Sequence, residues 1–221
     1  MTGHVKYYLR DLSNFILWGK NAPKSCELAW LNPEKVDLML KTPLPRSVSG
    51  SVLDSDWDLE TIPFDELPKN IACRAHFVDG LPWPESGAWE IMSHLFEASE
   101  KPDGCAAWED VVERYNELDK LFETLKKGEQ FKTQYQLRGR KAFREKGGIY
   151  IHFNRHGNPV FGGGGCHRIA IAKILKLSCI PVQIGAIHPA AIKIWRKQLH
   201  VPRTQLYTLA LATNNKTIQQ K

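Results

Sequence analysis

The chain has 221 residues, 43% of them hydrophobic, with a formal net charge of +6 and a pI near 9.0. That composition suits a globular protein with a real core, as one domain or two small ones, and its basic excess favours anionic ligands such as nucleotides or nucleic acid. Its five cysteines, Cys26, Cys73, Cys105, Cys166 and Cys179, are widely spaced and odd in number, with no CxxC pair, which argues against a disulfide framework or a zinc site and for a reducing compartment.

The first hundred residues are expected to form an extension packed on a later core. The apolar run at 15–18 is too short for a signal peptide. No stretch approaches the roughly 20 apolar residues of a membrane helix, so the expected location is the cytoplasm, with no membrane partner. Residues 26–31 read as a strand. Asn32-Pro33 then reads as a helix start, with Asn32 the N-cap and Pro33 at the first helical position. Residues 42–69 hold Pro43, Pro45, Pro63 and Pro68 around a Ser/Gly/Asp-rich centre and read as loop. Within them, after Arg46, come Asp54, Asp56 and Asp58. Alternate carboxylates share one side of an extended segment and could hold Mg²⁺, with Asp56 as a candidate base; solvated turn aspartates are the plainer reading. Residues 70–100 are rich in tryptophan, histidine and proline, with Arg74, His76, Trp83, Trp89 and His94 prominent, and within them 80–84, Gly-Leu-Pro-Trp-Pro, read as an ordered loop held by large apolar rings.

Residues 108–125 give the clearest amphipathic helix. Val111, Tyr115, Leu118, Phe122 and Leu125 recur at three- and four-residue steps, Lys126 and Lys127 close it, and Gly128 follows. Its role is expected to be packing. Residues 130–144 are polar and basic, and Arg138 and Arg140 could clamp a phosphate or simply face water. Residues 149–154 read as a strand, 155–158 as a turn, 169–177 as a helix and 180–187 as a strand. Another helix is expected over 190–198 with Trp195 in the core, and a frayed tail over 213–221.

The chemistry concentrates at 161–168, Phe-Gly-Gly-Gly-Gly-Cys-His-Arg. Glycines permit positive φ and close approach of a ligand to the backbone. A helix N-terminus offers free N–H groups and a positive dipole end. No Lys follows the glycines, so this is not a Walker A loop, and His167 stands where a dinucleotide fingerprint needs its third glycine. Gly162, Gly163, Gly164 and Gly165 would cradle phosphate. Arg168 would fork onto its oxygens, His167 would donate a hydrogen bond or move a proton, and the helix dipole would lower the Cys166 pKa.

Residues 161–181 resemble the ParB/sulfiredoxin superfamily. The loop is similar to the sulfiredoxin signature Phe-Gly-Gly-Cys-His-Arg with two glycines added, and residues 169–182 resemble the helix and Ile-Pro-Val strand of ParB-type domains. The resemblance covers roughly residues 110–187 and implies an α+β fold, a small mixed sheet packed by helices. The organisation expected is an α/β or loop-rich extension over 1–100, a nucleotide-binding domain over 101–212 and the tail. The resemblance also implies nucleotide chemistry. Sulfiredoxins use the cysteine as nucleophile and hold ATP phosphates with the histidine and arginine, ParB-type domains bind CTP, and other members are serine kinases.

Three functions follow in order. The first is an ATP-dependent phosphotransferase (kinase) or hydrolase acting on a small acceptor, with ATP or another nucleotide and Mg²⁺ as cofactors. The second is an oxidoreductase, a sulfiredoxin-like sulfinic acid reductase using Cys166. A DNA-associated partition or regulatory protein ranks last, because no helix-turn-helix with a basic face follows residue 190.

Overall fold

The computed structural model describes residues 4–200. Six strands form one mixed sheet: β1 (Leu28–Leu31), β2 (Leu38–Leu40), β3 (Thr61–Pro63), β4 (Ile149–Phe153), β5 (Pro159–Phe161) and β6 (Ile180–Ile187). Their order across the sheet is β1-β6-β4-β5-β2-β3. The centre is β4 beside β6, parallel, with β5 antiparallel to β4. This is an α+β protein with a mixed sheet, as expected.

The sheet does not break at residue 100. β1 pairs antiparallel with β6, and β2 pairs with β5, so the chain before residue 100 supplies half of the strands. Alternation sorts the central strands into two faces. Ile149, Ile151 and Phe153 of β4, with Val182 and Ile184 of β6, join the main core. That core is closed by α2 (Pro68–Phe77), α3 (Ala88–Ala98), α4 (Trp108–Lys126) and α6 (Cys166–Ile174). On the other face, Tyr150 lies under the Arg46 guanidinium at 5.2 Å, and His152 packs against Trp57 at 5.6 Å.

Helix α4 follows its periodicity: Val111, Tyr115, Leu118, Phe122 and Leu125 are all buried. Asp110 starts it, its carboxylate accepting the Ala106 and Ala107 N–H groups at 2.7 and 3.1 Å. Asn32 caps as expected, accepting the Glu34 N–H, though only one 3₁₀ turn follows, Pro33–Lys35. Helices α1 (Val5–Trp18), α2 and α3 were not expected. Pro68 stands at the first turn of α2, and Gly87 (φ 87°) precedes α3, so residues that read as loop formers are helix starts. The helix expected over 190–198 is two 3₁₀ turns, Pro189–Ala191 and Trp195–Gln198. They seat Trp195 fully in the core, with its indole N–H on Asn21 O. The tail over 213–221 lies outside the described residues.

Candidate functional site

The glycine run connects β5 to α6. Gly163 (φ 88°) and Gly165 (φ 86°) take left-handed backbone, and Gly165 is the N-cap of α6. A Cβ on Gly165 would meet Arg168 Nη2 at 2.9 Å and the Ile149 backbone at 3.2 Å, while one on Gly164 would run into the Arg46 guanidinium. Here the glycines make room for arginines.

The loop forms one wall of a cleft of about 930 Å³, bounded also by α4, the turn at 103–105 and α5 (Gln134–Arg138). Thr133 caps α5, accepting the Gln136 N–H while Gln136 Oε1 accepts the Thr133 N–H. This turns Gln134 and Arg138 towards Gly147, 3.4 and 3.5 Å from where its Cβ would be.

Three arginines, Arg46, Arg138 and Arg168, converge there. Arg168 Nη2 donates to Gly147 O at 3.0 Å. Arg46 Nη1 donates to Gln183 Oε1 at 3.1 Å and to Gly148 O at 3.4 Å. Among the described residues none of the three is in an ion pair. Burial lowers the Arg168 pKa, the positive charge of Arg46 lowers it further, and Arg114 and Arg138 add to this against Glu145. Burial likewise lowers the Arg46 pKa. Desolvation also pushes the carboxyl pKa of buried Glu145 up, with the Gln134 N–H and the Arg168 charge working against it. The same cleft is also lined by Asp103, Asp110, Glu113 and Glu117, so positive charge gathers at the glycine wall and negative charge on the wall that α4 and the turn at 103–105 supply.

His167 lines the cleft but is buried, and desolvation drops its pKa to about 3, with Lys69 and Arg114 lowering it and Asp103 raising it. Its Nε2 lies 3.3 Å from the Tyr115 hydroxyl. With the phenol donating, Nε2 is the acceptor and Nδ1 carries the proton. His167 is thus a neutral donor at pH 7, not a cation.

Cys166 sits otherwise than its helix position suggests. It is outside the cleft lining, packed on the core, on a helix whose chief neighbour is α2. Burial pushes its thiol up to about 12, Lys69 working against this and Asp103 with it. Desolvation overrides the dipole that was expected to lower it.

The aspartates expected to hold Mg²⁺ are committed elsewhere. Arg155 Nη2 bonds Asp58 Oδ1 at 2.8 Å and Asp56 Oδ1 at 2.7 Å, and Asp54 lies 3.6 Å from His188 Nε2. Among the described residues no group of three His, Cys, Asp or Glu is arranged for a metal. The three do not fit Mg²⁺, and Asp56 is not in the cleft to act as base. Arg140 lies on the exposed turn after α5 and also misses the cleft.

Arg46, Arg114, Glu113 and Glu117 line the cleft although the sequence reading gave none of them a role. The two glutamates lie on the polar face of α4, where spacing alone signals only solvent. Arg46 stood alone in a proline-rich loop; nothing local marked it.

Comparison with protein-family models, with curated proteins and with solved structures gave no match. Among the described residues no helix is long and apolar enough to cross a membrane.

Proposed function

We propose that the chain is a nucleotide-phosphate-binding enzyme of the ParB/sulfiredoxin type. Its reaction would be ATP-dependent phosphoryl transfer to a small acceptor, or ATP hydrolysis. The supporting observation is the convergence of Arg46, Arg138 and Arg168 on the glycine loop without carboxylate partners. Phosphate oxygens would supply the missing counter-charge, and α6 would add its free N–H groups and dipole.

In this reading Arg168 and Arg46 take the charge that gathers on the transferred phosphoryl group. Neutral His167 holds an oxygen by donation from Nδ1. The opposite wall of the cleft carries Asp110, Glu113 and Glu117, and Glu113 or Glu117 could accept the acceptor's proton. Asp110 is occupied in capping α4. Magnesium would arrive with the nucleotide, and no step runs through a metal held by Asp54, Asp56 or Asp58. The sulfinic acid reductase reading gains nothing from the geometry, because Cys166 is turned into the core with its thiol pKa raised.

A calorimetric panel of ATP, ADP, CTP and GTP, each with and without Mg²⁺, tests the reading. Binding of at least one nucleotide, lost in Arg168→Ala, is expected; no binding by the wild type refutes it.

A further inference from the structure

Helix α1 turns its polar side inward. Asn14 Nδ2 donates to Pro23 O and Gly50 O at 2.9 and 2.7 Å. Arg10 Nη1 donates to Ser47 O and Ser49 O, both at 2.8 Å. Asp11 accepts from Arg144 Nη1 at 2.6 Å and from Ser25 N at 2.7 Å. These bonds tie the helix down, and its apolar side points away from the protein. Val5, Leu9, Leu12 and Ile16 are 53%, 63%, 58% and 72% exposed, flanked by Tyr8 and Phe15.

The spacing of these four is 4, 3, 4, the seam of a two-helix contact. The face exposes on the order of 800 Å² of apolar surface, about what one side of a stable protein interface buries and above the usual patch of a monomer. It already holds a shallow groove of about 270 Å³, lined by Leu9, Leu12, Ser13, Ile16 and Leu17. Charge adds a direction. The first turn of α1 has no acidic residue and contains Lys6, the wrong sign for a positive dipole end, and its last turn has no basic residue. An antiparallel helix laid alongside would set Lys6 near the other helix's C-terminal carbonyls and correct both ends.

We propose that this face binds a second copy of the chain, with the two α1 helices antiparallel about a two-fold axis between Leu9 and Leu12. In that register Leu9 meets the partner's Leu12, and Val5 meets the partner's Ile16. The contact is isologous, so it closes at the dimer. It stands independently of the nucleotide reading, since α1 supplies no residue to the cleft.

Sedimentation velocity on the full chain tests it. The wild type is expected to be a dimer at about 100 µM, and Leu12→Glu a monomer with dissociation at least about 100-fold easier. Leu17→Glu, at the rim of the face rather than on the seam, weakens the dimer much less than Leu12→Glu and shows that a charge on α1 does not itself prevent folding. In oxidised mixtures, Leu9→Cys and Leu12→Cys chains cross-link to each other in preference to themselves, which would support the antiparallel register even if Leu12→Glu failed to fold. A wild type that stays monomeric at about 100 µM overturns the proposal. It does so whether the chain then sediments with phosphatidylglycerol vesicles or residues 201–221 prove to cover α1. A dimer that survives a folded Leu12→Glu, or cysteines that do not cross-link, overturns it as well.

Discussion

The molecule uses arginine in two opposite ways. Arg155 is spent inside the chain. It bonds Asp56 and Asp58, the Asp58 side chain is only 1% exposed, and the pairing raises the Arg155 pKa. Arg46 and Arg168 hydrogen-bond backbone carbonyls and the Gln183 amide, Arg138 is in no ion pair among the described residues, and where a shift is resolved, at Arg46 and Arg168, the pKa moves down. The first cluster pins the 54–58 loop to the turn after β4. The second presents positive charge to a cleft beside a backbone stripped of side chains. A guanidinium already neutralised by its own chain is structure; the guanidiniums left together against glycine are the ones our proposal assigns to an anion.

The contrast can be broken first at the paired cluster. Asp58→Ala removes the buried carboxylate that accepts the Arg155 backbone N–H and guanidinium and should lower the urea unfolding midpoint clearly, with nucleotide affinity unchanged. The mirror experiment is Arg168→Ala. It should weaken nucleotide binding by about 100-fold, read by calorimetry, and leave stability level or slightly raised, because it relieves like-charge repulsion.

Acid probes one buried histidine from each face. His152, pushed down to about 3 by burial, is fully buried with Nδ1 accepting the Ala186 N–H at 2.8 Å. His167 is held equally low. The unfolded chain binds protons near pH 6.5 that the folded chain does not, so stability is lost as pH falls through 6.5 until the folded pKa is reached near 3. At pH 5 the loss should be about 2 kcal/mol per histidine, and His152→Asn should flatten its share in a pH series of thermal melts. Gly164→Ala should displace Arg46 and weaken binding by about 10-fold, a smaller change than losing Arg168. Cys166→Ser should leave nucleotide affinity unchanged in the same titration, since the thiol lies outside the cleft.

Much of this was legible locally. Helix α4 showed in its three-four spacing, β4 and β6 in short apolar runs, and the Arg168 loop in its glycines. What escaped depends on distant partners. Helix α1 carries its apolar side outward, so periodicity gave no hint of which side packs. Arg46 reaches Gly164 from more than a hundred residues away in sequence. The alternating aspartates looked like ligands because Arg155, which takes two of them, is equally remote. The dipole at Cys166 could be read, but its burial against α2 could not.

The most direct test of the central claim compares ATP with adenosine in titrations of the wild type. Under the proposal that recognition runs through phosphate, ATP should bind and adenosine should be at least about 100-fold weaker, with the ATP affinity falling as salt is raised. Equal affinity for the two, or ATP binding indifferent to salt and to Arg168→Ala, would contradict it.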